Sequence, residues 1–172
     1  MGFSALTIPV PVLESIVAPR LRHSMPEYLP TDPARAHAHI TLLGPFAPRE
    51  QVDDAVLAEL AQFFADVTPF TFAFAKRPRI LAGRWIVLEP EPSERFATLT
   101  AALTARFPPY ANEIDDFLPH LTLEYHGSTR ALHDLTTQLA PALPIRAVAD
   151  RAALAWYEPG GSGWLAAFPF GE

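Results

Sequence analysis

The tetrapeptide His-apolar-Thr-apolar occurs twice in this chain, as His39-Ile40-Thr41-Leu42 and as His120-Leu121-Thr122-Leu123. Side chains alternate across a β-strand. Each copy therefore specifies a strand whose apolar pair, Ile40 with Leu42 or Leu121 with Leu123, turns to a core. His39 with Thr41, and His120 with Thr122, turn to the opposite face. A fold that satisfies both copies needs two strands that are buried on one side and open to a cleft on the other. At this composition chance expects on the order of 0.1 such tetrapeptides, so two copies ask for a common cause. Gly44-Pro45 stops the first strand and Pro119 precedes the second.

The rest of the chain alternates strands and helices in an irregular order. Strands are expected at Phe3 to Val10, His37 to Leu43, Phe70 to Ala75, Arg84 to Leu88 and Leu121 to Tyr125. Ile145 to Tyr157 and Trp164 to Phe170 read as two closing strands, joined through Pro159-Gly160-Gly161. Helical spacing covers Val12 to about Ser24, and Arg49 to Phe64, with Val52, Ala55, Val56, Leu60, Phe63 and Phe64 on one face. A third helix starts at Ser93 as its cap and runs to about Arg106, ended by Pro108-Pro109. Thr129 to Leu139 forms a fourth. Ala82-Gly83 is a turn. This order is neither a steady βαβα alternation nor a run of hairpins, so the expected class is α+β with a largely antiparallel sheet. The chain also reads as bipartite, each half holding a His-x-Thr strand, then a helix, then a strand pair.

At 172 residues the chain suits one domain, expected to span 1–172. Apolar residues make up 49% and charged residues 19%, enough to bury a core. There is no cysteine, which excludes disulfides, thiol nucleophiles and iron–sulfur clusters. The formal charge of −6 argues against a long nucleic-acid footprint, whose affinity comes from neutralising phosphates. A local pocket for one phosphate stays open. Met1-Gly2-Phe3-Ser4 lacks the basic-then-apolar pattern of a signal peptide, and Asp66, Thr68 and Pro69 interrupt the Phe-rich region. The expectation is a cytoplasmic protein with no membrane partner, working as a monomer.

Two imidazoles across a cleft can serve as base and acid in one step, because histidine titrates near neutrality. Two threonine hydroxyls beside them can donate to the non-bridging oxygens of a phosphodiester as these gain charge. His39 and His120 are thus the candidate catalytic residues, Thr41 and Thr122 the candidate phosphate ligands. No cofactor or metal is required. The chain resembles the two-histidine phosphoesterase superfamily, most closely its 2'-5' RNA ligase branch. The resemblance rests on His39-Ile40-Thr41-Leu42-Leu43-Gly44-Pro45-Phe46, on Phe107-Pro108-Pro109-Tyr110 leading to Pro119-His120-Leu121-Thr122-Leu123, and on Gly163-Trp164 with Phe168-Pro169-Phe170-Gly171. It implies two pseudo-symmetric lobes of mostly antiparallel sheet, helices outside and a cleft between. It also implies hydrolysis of 2',3'-cyclic phosphates or related 2'-linked phosphodiesters on a small nucleotide or RNA terminus, with reversible 2'-5' ligation in some members. By the same resemblance His39 is the acid at the leaving oxygen and His120 the base on water.

Further substrate contacts are weighed against plainer roles. Tyr125 and Trp164 can stack a base or pack under a loop. His126 can line the cleft rim or face solvent. Arg84, with Arg77 and Arg79, can meet phosphate or sit in a solvated turn. Glu124 can orient an imidazole or reach water. His37 shares a strand face with His39, so His37-x-His39 can also be a metal pair completed by His120, Glu124 or His126. A histidine metalloenzyme and a non-catalytic module that holds a nucleotide or RNA end are the alternative functions.

Overall fold

The computed structural model describes residues 2–29, 32, 35–110 and 118–171. Its elements run β1 (Phe3–Pro9), α1 (Glu14–Ser24), β2 (His39–Leu43), α2 (Asp54–Ala65), β3 (Phe70–Phe74), β4 (Arg79–Leu81), β5 (Trp85–Leu88), α3 (Glu94–Arg106), β6 (Leu121–Glu124), α4 (Thr129–Leu139), β7 (Ile145–Ala149), β8 (Arg151–Tyr157) and β9 (Gly163–Pro169). The α+β class holds, and every strand pairing among the described residues is antiparallel.

Side-chain caps set the starts of α2 and α4. Arg49–Gln51 makes a single 3-10 turn, and α2 starts only after Asp53, whose carboxylate accepts from the Val56 N–H at 2.9 Å. Ser128 caps α4 in the same way through the Ala131 N–H. Ser93 stands at the start of α3 but its side chain makes no capping bond there. The strand expected over Ile145 to Tyr157 is two strands. The chain changes sheets at Asp150, so β7 pairs with β3 while β8 pairs with β1 and β9. The sequence reading also missed β4. It is a short strand closed onto β5 by a turn in which Ala82 and Gly83 both take positive φ, 49° and 70°.

The seven strands of the main sheet lie in the order β4-β5-β6-β2-β1-β8-β9, and β3-β7 forms a separate pair. The order reveals a pseudo-two-fold axis at the seam between β2 and β6. Outward from that seam, β1 and β8 flank β2 just as β5 and β4 flank β6. Exchanging β2 with β6, β1 with β5, β8 with β4 and β3 with β7 returns the same arrangement, with β9 added on one side. The two sides of the sheet are therefore not the two halves of the chain. Each half sends its last strand across to the other: β4 joins β5, and β8 joins β1. The strand pair expected after each helix is rearranged: β3 and β7 pair with each other in the second sheet, while β5 lies in the main sheet and β8 pairs with β9 there.

Burial follows the alternation that the motifs specify. Ile40 and Leu42, Leu121 and Leu123 are buried, and each lies in one continuous core with residues from all four helices. Phe64, Phe70, Phe72, Phe96, Phe168 and Phe170 form an aromatic cluster in that core, with edge and stacked contacts of 5.0 to 6.4 Å between ring centres. The cluster ties β3, α2, α3 and the β9 end together behind the sheet. Among the described residues no helix is long and apolar enough to cross a membrane.

Candidate active site

The seam between β2 and β6 brings the two motifs together. Ile40 lies opposite Leu121. Extending that antiparallel register by one residue each way sets His39 against Thr122 and Thr41 against His120. Each imidazole thus faces the hydroxyl of the other motif. All four side chains line one cavity of about 370 Å³, together with His37, Tyr125 and Tyr157. Phe3 and Ala5 from β1, Trp85 at the start of β5, and Leu21, Met25 and Tyr28 complete walls that are mostly apolar and aromatic.

The two imidazoles are held alike. Nδ1 of His39 lies 2.6 Å from the His37 carbonyl oxygen, and Nδ1 of His120 lies 2.8 Å from the Leu118 carbonyl oxygen. A carbonyl only accepts, so each Nδ1 carries its proton and donates. Nε2 is then the nitrogen that can take up or release a proton toward the cavity.

Their surroundings differ. Nε2 of His39 is 3.3 Å from the Tyr157 hydroxyl, which donates to it. The His37 ring meets His39 edge-on, with ring centres 5.8 Å apart. Burial pushes His39 below the usual imidazole range; the His37 carbonyl opposes this and the nearby His120 adds to it. His37 is itself buried, at 5% exposure, which lowers its pKa to about 3, with His39 contributing. Burial raises the Tyr125 and Tyr157 phenols, so both stay protonated and able to donate. His120 is instead backed by the Trp85 indole, stacked at 6.5 Å and 17°.

Of the other residues singled out from sequence, His37 and Tyr125 line the cavity, while His126, Trp164 and Arg84 do not. His126 is exposed. Trp164 lies under the Arg35 guanidinium at 5.1 Å, and Arg84 lies 4.5 Å over the Trp85 ring. Glu124 is held by Arg20 at 2.9 Å, and a backbone carbonyl, not this carboxylate, engages each Nδ1. His39 has both ring nitrogens in hydrogen bonds, Nδ1 with a carbonyl and Nε2 with a phenol. Among the described residues no three His, Asp or Glu side chains converge as a metal site. Sequence reasoning missed Tyr157 and Trp85. Both are strand-end aromatics whose place in the cavity depends on the β1–β8 and β5–β6 pairings, which no local pattern announces.

Comparison with known proteins identifies the fold and the family. The sequence model of the 2'-5' RNA ligase superfamily matches residues 9–161. No curated protein matches the chain. Among solved structures, TT0787 of Thermus thermophilus is similar at 19% identity, with a TM-score of 0.63 over 99% of both chains. LigT of Escherichia coli complexed with 3'-AMP is similar at 17% identity, with a TM-score of 0.59 over 99% of this chain and 98% of that one. LigT complexed with ATP gives 18% and 0.57, over 99% of this chain and 98% of that one. These likenesses are of fold. With the family match over most of its length and two His-x-Thr strands facing one cavity, the chain belongs to the 2'-5' RNA ligase superfamily.

Proposed function

We propose that the protein is a metal-independent phosphodiesterase that opens a 2',3'-cyclic phosphate, or cleaves a related 2'-linked phosphodiester, on a small nucleotide or an RNA terminus. The observation that carries this reading is the matched pair of Nδ1–carbonyl bonds. Both imidazoles then offer Nε2 to one cavity, which is what concerted acid–base transfer requires. Thr41 and Thr122 stand beside them and supply hydroxyl donors to the non-bridging oxygens. Tyr125 and the aromatic walls give a nucleoside an apolar surface on which to lie. Family membership supports phosphoester chemistry, and the LigT complexes with 3'-AMP and ATP support a nucleotide as the ligand class. Run backwards, the same proton transfers would join a 2' hydroxyl to a phosphate, the ligation direction. On this reading the protein works in the cytoplasm, as a monomer formed of one domain over 1–172.

The test is hydrolysis of 2',3'-cyclic AMP and of RNA ending in a 2',3'-cyclic phosphate. His39→Ala and His120→Ala should each abolish turnover while the circular dichroism spectrum stays that of the parent. Thr41→Val and Thr122→Val keep shape, and each should lower kcat by about 10²-fold. Parent-like rates in both histidine variants would refute the reading. Tight nucleotide binding without any turnover would point instead to a binding module.

A further inference from the structure

The proposed acid–base chemistry uses two of the cavity's imidazoles and leaves the third, His37, without a task. Its backbone is pinned: the N–H donates to the Glu14 carboxylate at 2.7 Å, and the carbonyl accepts from Nδ1 of His39. The ring stands nearly at right angles to two neighbours, with centres 5.8 Å from His39 and 6.2 Å from Tyr157. Only 5% of the residue is exposed, and it lines the cavity. Yet neither ring nitrogen has a hydrogen-bond partner among the described residues. Every fully enclosed polar side-chain atom among those residues does have one. The His37 nitrogens are therefore not enclosed, and what they open on is the cavity. A polar ring fixed in such a wall without a partner calls for one from the ligand.

We propose that His37 is a substrate-binding residue that hydrogen-bonds the nucleobase of the bound nucleotide. This rests on the phosphodiesterase reading above and adds to it a contact that the His-x-Thr motifs do not supply. Position indicates which group His37 meets. His37, His39 and Thr41 are alternate residues of one extended segment, so they share a face, each about 6.5 Å from the next. Thr41 and His39 stand at the phosphate. In a 2',3'-cyclic nucleotide the phosphate is bonded to the ribose, and the base begins on the far side of that sugar. The next step along the strand face beyond His39 is the place of the base. Helix α1 reaches this end of the cavity. Its Arg20 holds Glu124, which the antiparallel register sets opposite His37, and its Leu21 lines the cavity with Met25 and Tyr28. These side chains give a base an apolar and aromatic bed. Charge agrees with this placement. Burial keeps His37 neutral, its pKa lowered to about 3, and Glu14 is occupied by the His37 and Ala38 N–H groups. Among the described residues that line the cavity there is no Lys, Arg, Asp or Glu. A second phosphate beside His37 would lie there without a counter-charge. A base is uncharged, and its edge offers donors and acceptors to a neutral imidazole, which has one N–H and one lone pair.

Calorimetric binding of two ribosides reads this contact. Adenosine carries the base nitrogens, and the C-riboside of naphthalene keeps a fused aromatic ring and the sugar but has no nitrogen. His37→Phe keeps an aromatic ring in the wall and removes both imidazole nitrogens. The preference for adenosine over the naphthalene riboside should fall about tenfold from the parent to His37→Phe. Inorganic phosphate, which meets only the motif end of the cavity, should lose much less affinity than adenosine does. With 2',3'-cyclic AMP the variant should raise KM about tenfold, with kcat changing less. Imidazole 15N spectra of the parent give the same test without a substitution: adenosine should shift a His37 ring nitrogen, and inorganic phosphate should not. A preference for adenosine that persists in His37→Phe, a loss that falls on kcat with KM unchanged, or His37 nitrogens that do not respond to adenosine would each overturn the proposal. The calorimetry and the spectra need no turnover. If His39→Ala and His120→Ala both open 2',3'-cyclic AMP at the parent rate, the phosphodiesterase reading has failed, and the ribosides still decide the His37 contact.

Discussion

His37 should make the protein lose stability as the pH falls from neutral. Its ring is buried against His39 and Tyr157, and its pKa is lowered from 6.5 to about 3. The unfolded chain regains the ordinary value. Between pH 6.5 and 3 the unfolded state therefore binds the proton that the folded state refuses. Stability is fully present above the unfolded pKa and is lost as pH drops toward the folded one. Each pH unit in that window costs about 1.4 kcal/mol at full slope. Between pH 6.5 and 5 the loss from His37 alone is then about 2 kcal/mol. For a chain that loses ~2 kcal/mol per molar urea, that is a midpoint lowered by about 1 M. His39 is shifted the same way and adds to the slope. The assay is urea unfolding followed by tryptophan fluorescence at pH 7, 6.5, 5.5 and 5, in the parent and in His37→Phe. Phenylalanine keeps an aromatic ring in the site and carries no titrating group, so the comparison is of slopes and not of absolute stability. The variant should show a clearly shallower decline. Parallel declines in the two proteins would refute the reasoning, since the proton uptake would then lie elsewhere.

Two further changes test how the scaffold is held. Asp53→Ala removes the N-cap of α2, far from the cavity, and should cost about 1 kcal/mol, read as a lower urea midpoint with cyclic-phosphate turnover unchanged. Phe96→Ala empties a fully buried ring site between Phe70 and Phe72, and should cost about 3–5 kcal/mol in the same unfolding assay.

What the sequence made legible was local in origin. Alternation within His39 to Leu42 and His120 to Leu123 told which side chains face the core, because strand geometry needs nothing beyond the strand itself. The helices were visible from their spacing, and α2 starts later than expected because Asp53 caps it. Asp53 caps α2 and Ser93 leaves α3 without such a bond, a difference set by backbone angles and not by residue type. Asp150 is harder still. Nothing in Ile145 to Tyr157 signals that the strand must change sheets there, since both parts are rich in β-compatible residues. The break is imposed by partners far away in the chain, Phe70–Phe74 for β7 and Phe3–Thr7 for β8.

The same division between local and distant causes runs through the site. A repeated motif specifies repeated chemistry: two imidazoles, two hydroxyls, and two upstream carbonyls that fix the same tautomer. Such a set is poised for reaction in either direction but prefers neither. Preference requires residues that the repeat does not supply. These come where each half of the chain sends a strand across the axis: β8 ends in Tyr157, whose hydroxyl lies 3.3 Å from Nε2 of His39, while β4 ends at Leu81, in register with Trp85 behind His120. A strand exchanged between halves is free to differ from its counterpart without disturbing either motif. The Tyr157 hydroxyl beside His39 and the Trp85 indole behind His120 therefore give two imidazoles held by the same motif unlike surroundings.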